Sequence, residues 1–312
     1  MSHQGIKVSS VAPTQFVEGT DFQFAWDSMS LGTLKECPRK YFYTHVLGYR
    51  PKDTSIHLTF GLHFATAMER FYKLRYNNVG YDDAVEEVIR QTMIESYDMP
   101  NDHNIKTRET LVRSIVWYFE AYKSDDETTP VVTLHDGRPA VELSFKLPTG
   151  LEVNGVELLY CGHLDRVVEF AGDRYVMDQK TTGQTLGAYY FTQFNPDNQM
   201  SGYSLASRVL FQCPVQGVII DAAQIAVGFT RFGRSITTRT ESQIEEWLTD
   251  FHDWTQQAAW YAERKHWPMN DKSCHKYGGC QFRDVCSHDK EVRQQFLDTK
   301  FEINRWNPLE DR

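Results

Sequence analysis

Gly162-His163-Leu164-Asp165 and Val176-Met177-Asp178-Gln179-Lys180-Thr181 lie within twenty residues of each other, and the architecture follows from this pair of segments. Apolar and polar residues alternate through Leu158–Phe170 and again through Tyr175–Thr181, the period of two expected of strands. Gly172-Asp173 separates them. A two-residue hairpin turn with glycine first would make Ala171 and Arg174 the next pair, and counting back sets Asp165 opposite Lys180. Asp178 and Lys180 share a strand face, with Asp165 diagonal to Asp178. Two carboxylates and an ammonium are thereby predicted to converge.

Such a group has a definite chemistry. Carboxylate oxygens suit Mg²⁺ or Mn²⁺. An ion of that kind can polarise a phosphodiester and stabilise the leaving oxygen, while a neighbouring lysine orients water or helps to deprotonate it. The alternative is an exposed hairpin carrying a salt bridge. Acidic triplets of this spacing arise often by chance, so the neighbouring sequence has to decide.

Helical patterns come first along the chain. Residues 30–46 read as a helix that Pro38 must break or turn. Residues 60–75 carry Phe60, His63, Phe64, Ala67, Met68, Phe71 and Tyr72 on one apolar face. Further helices are predicted near 81–96 and 106–124. After the strands, which include Val141, Leu143 and Phe145, a helix is expected at 196–211 and a buried strand at 215–223. Thr240 and Gln243 then form a capping box that opens a long amphipathic helix. This order predicts an α/β core with a helical insertion at about 76–135. The expected organisation is a loosely ordered segment 1–20, a single domain 21–300 and a tail 301–312.

With 41% hydrophobic and 24% charged residues, the chain has an ordinary globular composition. No apolar run is long enough for a membrane span, and the N-terminus has no secretory signal pattern, so a cytoplasmic setting is expected. The net charge of −9 argues against coating nucleic acid by bulk electrostatics, although a local basic path remains possible. Lys35, Arg39, Lys40, Arg50 and Lys52, interleaved with Tyr41, Phe42, Tyr43 and Tyr49, form such a stretch. It could equally be a solvated helix face over core aromatics.

In order along the chain, four motifs resemble those of the RecB-like branch of the PD-(D/E)XK nucleases, especially CRISPR-associated iron–sulfur exonucleases and their phage relatives. They are Gly61-Leu62-His63, Gly162-His163-Leu164-Asp165, Asp178-Gln179-Lys180-Thr181 and Gln199-Met200-Ser201-Gly202-Tyr203. The resemblance implies a restriction-endonuclease-like core, a mixed central sheet flanked by helices. It implies a metal held by His63, Asp165, Asp178 and the carbonyl of Gln179, with Asp165, Asp178 and Lys180 as the catalytic group. Gln199 and Tyr203, four apart on a helix, would contact DNA. For each there is a plainer alternative: His63 as a core histidine, Gln199 and Tyr203 as packing residues. Glu69 projects from the first-motif helix without an assigned role. The implied activity is DNA hydrolysis, with exonuclease action on single-stranded or free ends and protein partners in recombination, repair or CRISPR adaptation. Its rival is a DNA-binding or assembly protein using the fold as a scaffold, which would need none of Asp165, Asp178 and Lys180.

Cys274, Cys280 and Cys286 recur at Cys-x5-Cys-x5-Cys, and Cys37 stands far away in Cys37-Pro38-Arg39-Lys40-Tyr41. Thiolates serve iron–sulfur clusters and zinc alike. By resemblance these four would hold a [4Fe–4S] cluster that clips the two chain ends together, with structural Zn²⁺ or free thiols as alternatives. Cys161 and Cys213 are expected to be plain core residues.

Overall fold

The computed structural model describes residues 14–311, apart from 54, 101–102 and 212–213. β1 (Ala25–Trp26) leads into α1 (Ser28–Glu36), capped by Asp27, whose carboxylate accepts from Ser30 N at 2.6 Å. Pro38 ends that helix. It holds Cys37 extended (φ −163°) and then starts α2 (Pro38–Tyr41) from the first helical position, so the expected helix at 30–46 is broken. A π-helical turn at Phe42–Val46 and β2 (Tyr49–Pro51) follow. Next comes α3 (Ile56–Tyr76), followed by α4 (Tyr81–Glu95), α5 (Arg108–Ala121) and α6 (Asp125–Thr128) in the region expected to be a helical insertion. The central strands are β3 (Val141–Val153), β4 (Val156–Phe170) and β5 (Asp173–Thr182), followed by α7 (Ala188–Thr192), α8 (Asn198–Phe211), β6 (Val215–Ile225) and β7 (Thr230–Thr237). The chain closes with α9 (Glu241–Glu263), α10 (Arg283–Ser287), α11 (Arg293–Lys300) and β8 (Phe301–Ile303).

Six strands form a mixed sheet in the order β1-β4-β5-β6-β7, with β3 also paired to β4. The length of β4 lets β3 run antiparallel along one edge, while β1 and then β5 occupy the other. β5 and β6 are parallel and β7 is antiparallel to β6. The β4–β5 turn differs from expectation. Phe170 pairs with Asp173, so the turn is Ala171-Gly172, both with positive φ (52° and 87°), as a type I′ turn requires. The register therefore moves by two residues, which keeps every side chain on its expected face.

Helices cover both faces of the sheet. On one side Phe60, Phe64, Phe71, Leu111 and Tyr118 pack α3, α4 and α5 together and onto the strands. On the other, Trp26, Tyr160, Met200, Trp247 and Phe251 bind α1, α8 and α9 into the larger core. The predicted capping box of α9 forms, with Thr240 N donating to Gln243 Oε1 at 2.9 Å and Gln243 N to Thr240 Oγ1 at 3.3 Å. Among the described residues no helix is long and apolar enough to cross a membrane.

The chain ends dock onto the domain. Gln15 is buried and donates to the Trp306 carbonyl at 2.8 Å, and β8 pairs with β2. Of the segment expected to be loose, residues 1–13 lie outside those described. Cys161 is a core residue, and Cys213 lies outside the described residues.

Candidate active site

The β4–β5 ladder ends at Arg166 and Met177. One step beyond, the same register sets Asp165 against Asp178, where the counted register had placed Lys180. The strands part here. The amide of Gln179 finds its acceptor in the Asp165 carboxylate, at 2.7 Å. The side chain thus satisfies a backbone donor that the ladder no longer reaches. Asp178 and Lys180 share the sheet face that carries α8.

Asp178 is 1% exposed. Its Oδ2 lies 2.7 Å from Lys180 Nζ without favourable hydrogen-bond geometry, and no other described group bonds it. Burial pushes the Asp178 carboxyl up to about 7; Lys180 opposes that shift and the Asp165 charge adds to it. For Lys180, burial works against the charge, but Asp178 and Asp165 outweigh it and hold the ammonium above its ordinary pKa. Lys180 also donates to Gln199 Oε1 at 2.9 Å, and Gln199 Nε2 donates to the Tyr203 hydroxyl at 2.9 Å. Both ends of the Gln199 amide are occupied, and Tyr203 is buried. The predicted pair therefore meets the lysine.

On the opposite face, Arg166 pairs with Asp221 at 2.6 Å and lies 4.5 Å from the centroid of the Tyr72 ring. Gln179 Nε2 donates to the Asp221 carbonyl at 2.9 Å. This buried network braces the strand segment that bears the carboxylates. Sequence reading passed over Arg166 and Asp221, because a charged residue in a strand resembles any solvent-facing one until its partner on another strand is known.

A narrow cleft beside Asp165 and Gln179 is lined from α3 by Ala65, Met68, Glu69 and Tyr72. At about 100° per residue, His63 stands roughly 120–180° around the helix from these four. Burial lowers the pKa of His63, and the charge bearing on it is that of Glu95. Glu69 lines this cleft and pairs with Lys73 at 2.5 Å, while His63 lies on another arc of the helix. Among the described residues, no three His, Cys, Asp or Glu side chains are grouped so as to hold a metal ion.

Two chain ends meet around Cys37. Asn270 N donates to Cys37 Sγ at 3.3 Å, and Asn270 Nδ2 and Ser273 Oγ donate to the Glu36 carbonyl at 2.8 and 2.7 Å. Cys280 N donates to the Cys274 carbonyl at 3.0 Å. Burial raises the thiol pKa of Cys280 and of Cys286, and Cys37 adds to both shifts. Phe282, Val285, Tyr43 and Phe301 supply an apolar wall. All four cysteines are free thiols.

The N-terminal basic stretch is largely engaged within the protein. Lys40 pairs with Glu36 at 2.7 Å, Arg39 Nε donates to the Trp267 carbonyl at 3.2 Å, and Lys52 donates to the Asp298 and Thr299 carbonyls. Tyr41, Tyr43 and Tyr49 are buried.

Residues 28–287 match the family model of the PD-(D/E)XK nuclease superfamily. Among solved structures, a presumed exonuclease from Eubacterium rectale is similar at 10% identity and a TM-score of 0.48, with 85% of this chain and 94% of that one covered. A protein designated SSO0001 is similar at 14% identity and a TM-score of 0.27, with 60% and 72% covered. Neither superposition reaches 0.5, so the assignment rests on the family match. No curated protein matches the sequence.

Proposed function

Because the chain belongs to the PD-(D/E)XK nuclease superfamily, we propose that its paired carboxylates hold a divalent metal ion and hydrolyse DNA phosphodiesters, acting from free ends as an exonuclease. The observation that carries this reading is the buried Asp178, which shares one small region with a second carboxylate, Asp165, whose charge opposes its own, and with the Lys180 ammonium 2.7 Å from its Oδ2. A cation relieves that arrangement. Mg²⁺ takes one or two carboxylates and keeps several waters, so Asp165, Asp178 and the carbonyl of Gln179 are a sufficient donor set without a third acidic or histidine side chain. Glu69, rather than His63, completes the α3 side of the site in this proposal.

A bound Mg²⁺ or Mn²⁺ supplies polarisation of the scissile phosphate. Lys180, held as a cation between Asp178 and Gln199, orients the attacking water and faces the charge that develops on the phosphate. Gln199 and Tyr203 position Lys180. The water oxygen bonds to phosphorus as the bond to one neighbouring sugar oxygen breaks; the water gives up a proton to solvent and the departing oxygen takes one from it, so the products are a phosphate monoester and a free hydroxyl.

We also propose that Cys37, Cys274, Cys280 and Cys286 hold a [4Fe–4S] cluster. A single zinc requires four ligands about 2.0–2.3 Å from one point. A cubane gives each thiolate its own iron, and the mutual electrostatic influence of Cys280 with Cys37 and Cys274, and of Cys286 with Cys37 and Cys280, gathers the four thiols in one region. The cluster is structural, since its ligands are separate from the carboxylates.

Linear and circular single-stranded DNA, incubated with Mg²⁺, Mn²⁺ or chelator, test the reading. Cleavage is expected only with metal and only of the linear substrate. Asp165→Ala and Asp178→Ala are expected to lose at least about a thousandfold in rate while remaining folded. Glu69→Gln is expected to weaken activity and His63→Ala to leave it near wild type. An inactive wild-type protein under every metal condition, or active folded aspartate variants, would reject the assignment.

A further inference from the structure

β5 and β6 run parallel, so their carboxyl ends open at one edge of the sheet, and the chain that follows each of them carries an aromatic ring into solvent. After β5 comes α7. Tyr190 is buried there. Burial raises the pKa of its hydroxyl; the Lys180 charge lowers it, the Asp178 charge raises it, and a hydrogen bond with the Thr182 side chain lowers it. Tyr190 therefore stands beside the catalytic pair. Its neighbour Phe191 packs over β7, since a Cβ on Gly233 would lie 3.6 Å from Phe191 Cζ. At about 100° per residue, Tyr189 lies roughly 150° from the middle of this buried arc, and it is 90% exposed.

After β6 comes the turn to β7. Phe229 is 40% exposed, and the Arg231 guanidinium lies 4.7 Å from the centroid of its ring. Register fixes the face. Thr182 pairs with Gln224 and Gln224 with Arg231, while Lys180 pairs with Ala222 and Ala222 with Gly233. Arg231 therefore shares the sheet face of Lys180, and Phe232 points the other way, onto Tyr118 and Tyr122. Two strand spacings and a two-residue rise separate the Lys180 and Arg231 backbones by about 12 Å. One edge of the active-site face thus combines a guanidinium with two solvent-facing rings, beyond the carboxyl ends of parallel strands, where open sheets admit ligands. Rings stack on bases whatever their sequence, and only an unpaired strand can turn its base faces to them. In a chain of net charge −9, Arg231 gives this edge the complement of a phosphate backbone.

We propose that Tyr189, Phe229 and Arg231 bind single-stranded DNA, the two rings stacking on unpaired bases and the guanidinium holding a phosphate of the strand that enters the active site. The assignment rests on the nuclease reading above. The test measures, in chelator, how the full chain binds a labelled single-stranded oligonucleotide and an abasic one of the same length, for wild type, Tyr189→Ala, Phe229→Ala and Arg231→Gln. Tyr189 and Arg231 are exposed, so their variants decide the matter if Phe229→Ala does not fold. Wild type is expected to bind the abasic strand at least about tenfold more weakly. Tyr189→Ala is expected to lose about tenfold on the normal strand and nothing on the abasic one, and Arg231→Gln to flatten the slope of log K against log salt by about 0.7 on both. Folded variants with wild-type affinity and slope would overturn the proposal and leave this edge to a protein partner. Equal loss by Tyr189→Ala on the two strands would overturn it as well, because stacking needs a base. If wild type binds as expected but cleaves linear DNA with neither metal, the nuclease reading fails while the binding surface stands.

Discussion

Removing a carboxylate from water favours its protonated form, and Asp178, 1% exposed with Asp165 nearby, experiences both burial and repulsion. Its folded pKa of about 7 lies above the ordinary value of 3.8. The contribution to stability is therefore fully present below about pH 4 and is lost as pH rises through 7. Asp178→Asn is expected to raise the Tm of the metal-free protein at pH 8, to change it little at pH 4, and to abolish cleavage. Added Mg²⁺ is expected to stabilise wild type at pH 8 and not the variant. A variant less stable than wild type at pH 8 would show that the carboxylate is compensated by something other than a metal.

α8 holds the far end of the chain of bonds that fixes Lys180, so its seating on the sheet matters for turnover. It approaches closely because position 202 is glycine. A Cβ there would lie 2.2–2.4 Å from the hydroxyl and ring atoms of Tyr160, whose ring is buried against Trp247 and Phe251. A ring so enclosed cannot simply rotate away. Gly202→Ala is expected to push α8 outwards, to cost about 1–3 kcal/mol of stability and to carry Gln199 away from Lys180. Substrate binding is expected to change less than kcat, because the displaced group serves the lysine. If Gly202→Ala retained wild-type kcat at reduced stability, the Gln199 contact would have no part in positioning. The motif itself was readable as Gln and Tyr four residues apart; that their polar ends face inward depended on which helix face the sheet buries.

Across the whole molecule, the ends of the chain meet at several places, among them Cys37 with the segment 270–286, β2 with β8, and Gln15 with Trp306. A cluster bound by ligands from both ends adds a tie that the unfolded chain must break. Cys37→Ser is expected to lose iron and the brown colour as completely as Cys280→Ser, with a lower Tm in each. One equivalent of zinc in a colourless protein would keep the tie and reject iron; full iron content in Cys37→Ser would remove Cys37 from the site. Chelation of the divalent ion alone is expected to stop cleavage without bleaching the cluster.

Much of this was legible before folding because it depends on short-range geometry. Alternation along β4 and β5 placed Asp178 and Lys180 on one face, and the order of motifs identified the superfamily. The turn was misplaced by one residue, yet a register error of two leaves the faces intact, so the carboxylates still met. The partners of those residues required the tertiary structure. His63 and Glu69 both lie on α3, and only the packing of that helix against β3 and β5 decides which lines the cleft beside Asp165. Arg166 finds Asp221, and Lys180 finds Gln199, across separations of 55 and 19 residues. The linear chain specified the chemical groups and their local faces through the periods of strand and helix. The charge environment of each was decided by what the fold excluded from water around it, because desolvation and Coulomb forces depend on distance in space and not on position in the chain.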